Sequence, residues 1–360
     1  MTTESTMASK TAPNETSETS QTDGGMTPQQ YRVCLIGSGG VGTIASLVLS
    51  KSQRAHVTVV LRSAYEHVTR HGWQVDSVDH GELAGWRPAR VVDSVAAATR
   101  EADDNGIPIL YDYVVVCTKQ QPPECGPTTP ELIGPVVTAG HTTVVLIQNG
   151  MGIEEAVIAA WPTNVVMSSV SHIGSALRPP NTVVQTAPDV SQMGPHYHVG
   201  VPDAVSRARA QTFVDLYVAG GARACHLLQH RMQAARWEKL LWNGTFSPVC
   251  ALTRANVGQV QRSGARDSLL LPMMWEIWHV AAAAGHPLPE SVVPWMAGRL
   301  PDDCTFRPSM LLDLEAGRPM ELDVILGYPT RLARRLGVAT PVLDTAYRLL
   351  QVEQWKVLGE

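Results

Sequence analysis

Three polar side chains recur every four residues in Arg236-Trp237-Glu238-Lys239-Leu240-Leu241-Trp242-Asn243-Gly244-Thr245-Phe246-Ser247-Pro248. On a helix, that spacing puts the Lys239 ammonium, the Asn243 amide and the Ser247 hydroxyl on one face, among apolar residues that need burial. A buried lysine must be paired or lose proton affinity, and a lysine treated in this way is a candidate proton donor. The structural alternative is a solvent-facing stripe on an ordinary amphipathic helix. Complementary groups elsewhere in the chain decide between the two.

Such groups exist. The apolar run Tyr111-Asp112-Tyr113-Val114-Val115-Val116-Cys117 ends in Thr118-Lys119-Gln120, and Thr142–Ile147 ends in Gln148-Asn149-Gly150. Either ending alone fits a strand cap or turn. Further on, Ser309 to Asp313 suits the first turn of a helix that Gly317 stops, and Glu321 opens the next helix, where the dipole favours a carboxylate. Their functional reading has Ser309 binding a substrate anion while Glu321 faces Lys239 across a cleft.

A cofactor site precedes them. Gly37-Ser38-Gly39-Gly40-Val41-Gly42 follows the apolar run Val33-Cys34-Leu35-Ile36 and opens a helical segment, Val41 to Ser50. In that context Gly-x-Gly-x-x-Gly supplies a tight turn, a close backbone approach to pyrophosphate and close helix–strand packing. The second strand, His56–Leu61, runs into Arg62-Ser63 with no acid to bind an adenosine 2′-hydroxyl. A cation there favours NADP(H) over NAD, unless Arg62 is simply a solvated surface residue.

These pieces need a scaffold. Strands alternating with helical segments, nearly all apolar, predict a doubly wound parallel sheet of Rossmann type, with Thr163–Met167 as a fifth strand. Asn181 to Gly200 reads as sheet and turn. From about Ala204 the pattern becomes predominantly helical and stays so to Glu360. The expected organisation is a Ser/Thr-rich disordered tail over 1–28, an NADP-binding α/β domain over 29–228 and an all-α substrate domain over 229–360. The junction falls near Leu227 to Gln233.

Composition closes off several classes. The chain of 360 residues carries a formal net charge of −5, with mean hydropathy −0.03 and pI about 6.2. Nothing in that balance offers a footprint for nucleic acid. No apolar run nears the roughly 20 residues that span a bilayer. Six scattered cysteines with no Cys-x-x-Cys spacing and no secretory signal point to free thiols and a cytoplasmic address. His67 with His71, and His196 with His198, have pairwise metal spacing but no third ligand, so no metal is expected. Trp275 and Trp278, with Met273 and Ile277, form an apolar helix stripe suited to core or a dimer interface. An exposed apolar helix face would fit a homodimer.

The chain resembles the ketopantoate reductase (2-dehydropantoate 2-reductase) family. The resemblance rests on the glycine fingerprint, Cys117-Thr118-Lys119, Ile147-Gln148-Asn149-Gly150-Met151-Gly152, Trp237-Glu238-Lys239-Leu240, Asn243, Ser309-Met310 and Gly317-Arg318…Glu321-Leu322-Asp323. These run in family order from about residue 31 to the C-terminus. The resemblance implies a helical second domain like that of 6-phosphogluconate dehydrogenase. It further implies an NADPH-dependent reduction of a 2-oxo acid, with ketopantoate going to pantoate for pantothenate and coenzyme A. Lys239 becomes the general acid and Glu321 hydrogen-bonds the same hydroxyl beside the cofactor. Asn243 and the residue one turn later, Ser247, take the substrate's terminal hydroxyl, and Ser309 takes its carboxylate. Lys119 and Asn149 contact cofactor and substrate, and Gly174 gives a backbone contact to the cofactor.

Three positions depart from the family pattern. Ser247 stands where an asparagine is usual, Met320 where a threonine precedes the glutamate, and Val257, beside Asn256, where a further substrate-binding asparagine is usual. All three concern the substrate and none the hydride chemistry. The alternatives are therefore a reductase for another 2-oxo acid or an imine, and a non-catalytic NADP(H)-binding regulator.

Overall fold

The structure is a computed structural model that describes residues 30–100, 102, 106 and 108–359. The tail expected over 1–28 lies outside the described residues. Twelve strands are described: β1 (Tyr31–Ile36), β2 (Ala55–Val60), β3 (Trp73–Ser77), β4 (Gly81–Trp86), β5 (Arg90–Val92), β6 (Tyr113–Val116), β7 (Thr143–Leu146), β8 (Val166–Ser171), β9 (Gly174–Arg178), β10 (Thr182–Ala187), β11 (Val190–Pro195) and β12 (Ala224–Leu227).

Eight of these form the main sheet, in the order β12-β11-β8-β7-β6-β1-β2-β5. From β5 to β8 every neighbouring pair is parallel, and β11 joins β8 antiparallel. Parallel strands buried on both faces read as unbroken apolar runs, which explains Val33–Ile36 and Tyr113–Val116. Successive side chains then serve opposite faces. Val33, Leu35, Tyr113, Val115 and Val145 pack beneath Ile44, Val48, Phe213 and Tyr217 of the helices Gly40–Lys51 and Asp203–Ala219. Cys34, Ile36, Val114, Val116, Val144 and Leu146 pack on the other side with Ile133 and Val157.

The strand order reverses between β1 and β6, so a crevice opens at their carboxyl ends. The loops after β1, β6, β7 and β8 all arrive there. The segment Met232–Asn243 begins the helical part and packs on both β8 and β11. Its apolar side, with Trp237, Leu240 and Leu241, joins Met273, Ile277, Met310 and Leu326 in a separate core. Met273 and Ile277 are fully buried and the Trp278 indole donates to Leu288 O, so the tryptophan-bearing helix Leu271–Ala283 feeds that core.

Two features depart from the sequence expectation. A second sheet, ordered β4-β3-β10-β9, lies beside the first helix. Of its members, β3 exposes every second residue and β4 is exposed or half-buried throughout, and their segment carries no apolar run long enough to signal a strand. The helical region also does not run unbroken from Ala204. After Asp203–Ala219 the chain returns to the main sheet as β12, an edge strand of only four residues. Its pairing with β11 is a tertiary effect that local periodicity does not carry.

Candidate active site

The glycine loop has the geometry its sequence requires. Gly37 adopts φ +98°, and a Cβ there would lie 2.5 Å from Thr118 N, so the loops after β1 and β6 are in contact. A Cβ on Gly42 would lie 1.8 Å from Gly37 O, whereas one on Gly39 would meet nothing within 4 Å. The outer glycines therefore close the turn, and the middle one leaves open space ahead of the N-terminus of helix Gly40–Lys51. A pyrophosphate fits that arrangement. Arg62 is exposed one residue past Leu61, whose N–H bonds Val92 O at the end of β2. Gly174 starts β9, and the backbone of Ser175 and Ala176 packs on Gly40.

The expected three-residue stripe is broken. The helix Met232–Asn243 ends before Ser247, which sits on a second helix, Phe246–Thr253, after the non-helical Thr245 (φ −123°). Only Lys239 and Asn243 therefore share a wall of the crevice. Lys239 Nζ donates to Asn149 Oδ1 at 2.8 Å and to Ser171 O at 2.7 Å. Asn149 Nδ2 donates onward to Glu321 Oε2 at 3.3 Å, and Gln120 N donates to Glu321 Oε1 at 3.2 Å. Lys239 and Glu321 thus meet through the Asn149 amide. Glu321, only 7% exposed, lies just before the wide helical turn Asp323–Gly327. Its carboxyl is pushed above the usual range, chiefly by burial.

Lys239 is pushed down to about 8, first by burial and then by the Arg236 cation, with Arg299 adding; Glu321 and Asp189 pull the other way. His172 also faces this group and is itself held at about 4 by burial and the Lys239 charge. An ammonium with reduced proton affinity, aimed into a crevice, suits proton donation near neutral pH.

Asn149 is held from both sides. Gly150 takes φ +91°, which seats the turn against Val324, and Met151 N bonds Val324 O at 2.8 Å. Gln148 ties the ends of β6 and β7, donating to Thr118 O at 2.6 Å and accepting from Gln120 Nε2 at 3.2 Å. Lys119 turns to the carboxylate of Asp313, which also accepts from Arg318 Nε at 3.0 Å.

Asn243 shares a small recess with Gln148, Asn149 and Lys239. On the other side of Lys239 lies a cavity of about 140 Å³ lined by His172, Gln192, Glu238, Trp295 and Arg299. Ser309 is the exposed first residue of helix Ser309–Glu315, which Gly317 follows at φ +61°. Ser247 is 4% exposed. Val257 is fully buried in the helical core. The Asn256 side chain beside it caps the next helix by accepting from Gln259 N. Met320 is buried and exchanges backbone bonds with the Gln354 amide.

The sequence pattern named Gln120 only as part of a polar strand end and gave no role to Ser171, Arg236 or Asp313. The signal available for Arg236 was a cation three residues before Lys239, on the same helix face. The histidines have other employment: His196 bonds Ser168 Oγ at 2.7 Å, and His198 bonds Asn164 O at 3.1 Å. Among the described residues, no cluster of three or more potential ligands could hold a metal.

Known proteins share this architecture. The family profile described as "Ketopantoate reductase PanE/ApbA" matches residues 33–197, and its C-terminal counterpart matches residues 231–354. An uncharacterized protein of Saccharomyces cerevisiae is 34% identical over 352 residues, covering 91% of this chain and 94% of its own length. The crystal structure of 2-dehydropantoate 2-reductase from Methylococcus capsulatus superposes with a TM-score of 0.77 at 32% identity, covering 91% of this chain and 98% of that one. A D-mandelate dehydrogenase, solved with NADH and anilino(oxo)acetate, shares the fold with a TM-score of 0.75 at 18% identity, over 91% of this chain and 99% of that one.

Proposed function

This chain belongs to the ketopantoate reductase family of oxidoreductases, and on that premise we propose that it reduces a 2-oxo acid to a 2-hydroxy acid with NADPH. The observation that carries the reading is the chain of contacts Lys239–Asn149–Glu321 at the carboxyl ends of the parallel strands. NADPH supplies the hydride when bound. The glycine loop would hold its pyrophosphate, and Arg62 its 2′-phosphate, since no acid at the end of β2 opposes that charge.

Lys239 Nζ gives its proton to the carbonyl oxygen as that oxygen becomes an alkoxide. Glu321 accepts from the resulting hydroxyl, and Asn149 fixes the separation of the two. Ser309 and Asn243 are the substrate-binding groups, Ser309 for the carboxylate. Lys119, once released from Asp313, and the Gly174 backbone would contact the cofactor. Retention of Lys239, Asn243, Ser309 and Glu321 together disfavours a purely regulatory NADP(H)-binding role, for which the first domain would suffice.

Ketopantoate, reduced to pantoate for coenzyme A synthesis in the cytoplasm, is the first substrate to test. A second reading has a specific basis. Val257 is core and Asn256 a helix cap, so neither offers an amide to substrate, and Ser247 offers one hydroxyl where an amide has two functions. Those positions favour a 2-oxo acid without ketopantoate's terminal hydroxyl, or a related imine. Steady-state NADPH oxidation against ketopantoate, a simple aliphatic 2-oxo acid and an aryl 2-oxo acid, repeated with NADH, separates these readings. Preference for ketopantoate by tenfold or more in kcat/KM upholds the first. Equal or better turnover of another acid upholds the second, and binding of NADPH without oxidation in any arm overturns the enzymatic reading.

A further inference from the structure

The least expected group near Lys239 is another cation. Arg236 is 3% exposed. Its Nε donates to Gly150 O at 3.0 Å and its Nη2 to Gln148 O at 3.0 Å, so the guanidinium grips the carbonyls on both sides of Asn149. Its Nη1 is buried with no hydrogen-bond partner. Burying a guanidinium this way is expensive unless an opposite charge lies close. Among the described residues no carboxylate lies within ion-pair distance of it, and the strongest opposing charge acts from farther off, from Glu154. Glu154 is 5% exposed, its Oε1 is bonded by Gln233 Nε2 and lies 3.6 Å from His196 Nδ1, and its Oε2 has no partner. Gln233 and Arg236 belong to the helix that carries Lys239, whereas Glu154 and the Gln148–Gly150 turn belong to the α/β part.

We propose that Arg236 is a positioning residue for the proton donor: by holding the Gln148–Gly150 turn it presents Asn149 Oδ1 to Lys239 one helical turn away, with Glu154 as its counter-charge. This rests on the reading of Lys239 as general acid. Geometry and charge act together here. The guanidinium sets where Lys239 is anchored, and its field, moderated by Glu154, opposes a second cation nearby. The other charged or titratable groups facing Lys239 are Glu321, Asp189, Arg299 and His172.

The test compares Arg236→Met, Arg236→Lys and Glu154→Gln in the full chain, with Lys239→Ala alongside. Competitive acylation by acetic anhydride, read by peptide mass spectrometry across pH, reports the proton affinity of Lys239 without needing a substrate. NADPH binding and thermal unfolding are measured in parallel. The titration of Lys239 should move upward by about one pH unit or more in Arg236→Met and return most of the way in Arg236→Lys. It should move downward in Glu154→Gln, because the Arg236 charge is then less compensated. In Arg236→Met kcat should fall at least tenfold with NADPH affinity within about twofold of the parent.

Opposite displacements in the two variants support the proposal, and Glu154→Gln alone tests the sign if Arg236→Met fails to fold. An unmoved titration in a folded variant overturns it, as does loss of activity only in step with stability and NADPH binding. If Lys239→Ala keeps near-normal turnover, the general-acid reading itself fails. If Lys239→Ala is inactive and the other variants titrate as the parent does, only the role given to Arg236 fails.

Discussion

Asn149 accepts a hydrogen bond from Lys239 Nζ through Oδ1 at 2.8 Å, and this contact orients the rest of the amide. With the oxygen committed to the ammonium, Nδ2 is left to donate to Glu321 at 3.3 Å. Only a group that accepts at one end and donates at the other can join a cation to a carboxylate in this way.

Replacing Asn149 by Asp keeps the shape but reverses one end, setting two carboxylates face to face. Asn149→Asp should therefore lower kcat by about 10²-fold, in the range lost with one oriented catalytic donor. The midpoint of thermal unfolding should move by only a few degrees. Steady-state kinetics with the best substrate of the panel, beside a melting curve, makes the comparison. A kcat within threefold of the parent would mean that the amide bridge has no catalytic part.

Activity and stability should respond to alkali in opposite directions through Lys239. The protonated amine is the donor, so log(kcat/KM) should fall with rising pH above about 8, the value to which burial and the Arg236 charge push it. Its folded proton affinity lies below its unfolded one, so the unfolded chain binds more protons between about 8 and 10.5. Stability from this group therefore rises with pH across that window and is lost as pH falls back through the folded value. Because buried tyrosines and cysteines titrate there with the reverse sign, the measurable quantity is the difference between the parent and Lys239→Met in denaturant unfolding. A difference that does not vary with pH would place the ammonium in water and remove the argument for a depressed donor.

Much of this site was legible because its parts sit in strong local patterns. The Gly37–Gly42 fingerprint follows a strand, and the pairing of Lys239 with Asn243 follows helical spacing, so each names its own context. Asn149 and Lys119 were readable as polar ends of apolar strands. Arg236 was not, because a cation on a helix face reads as solvated until the fold shows what covers it. Ser171 meets Lys239, and Gln120 meets Glu321, through backbone atoms, which carry no residue signature. β3, β4 and β12 were hidden for a different reason: they are short and largely half-exposed, and β12 owes its place to β11, distant in the chain.

The glycine loop yields a split result. Gly39→Ala adds a methyl that meets nothing within 4 Å in the protein, whereas Gly42→Ala places one 1.8 Å from Gly37 O. The first should leave stability within about 0.5 kcal/mol, the usual range for a change free of new contacts. It should nevertheless weaken NADPH binding tenfold or more, by blocking backbone approach to the pyrophosphate. The second should destabilise the fold by about 1–3 kcal/mol, as overpacking does, and lose the cofactor with it. Fluorescence titration of NADPH together with urea unfolding separates the two. Unchanged NADPH affinity in Gly39→Ala would show that the cofactor lies elsewhere.

Lys119 and Asp313 form the ion pair that ties the end of β6 to helix Ser309–Glu315, and the two partners are unequally placed. The Asp313 side chain is 4% exposed and the Lys119 side chain 43%. The carboxylate is therefore the buried half, shared with Arg318, while the ammonium can reach water or a ligand. Asp313→Asn keeps the shape and removes the charge. Both cations can then be solvated, so the loss of stability should be modest, about 1–2 kcal/mol. If Lys119 turns to the cofactor when released, the same variant should bind NADPH several-fold more tightly, and more so at low ionic strength. Calorimetric titration at two salt concentrations, set against urea unfolding of the free protein, measures both effects. Weaker or unchanged NADPH affinity in Asp313→Asn would confine Lys119 to joining the two parts of the chain and take it out of the cofactor site.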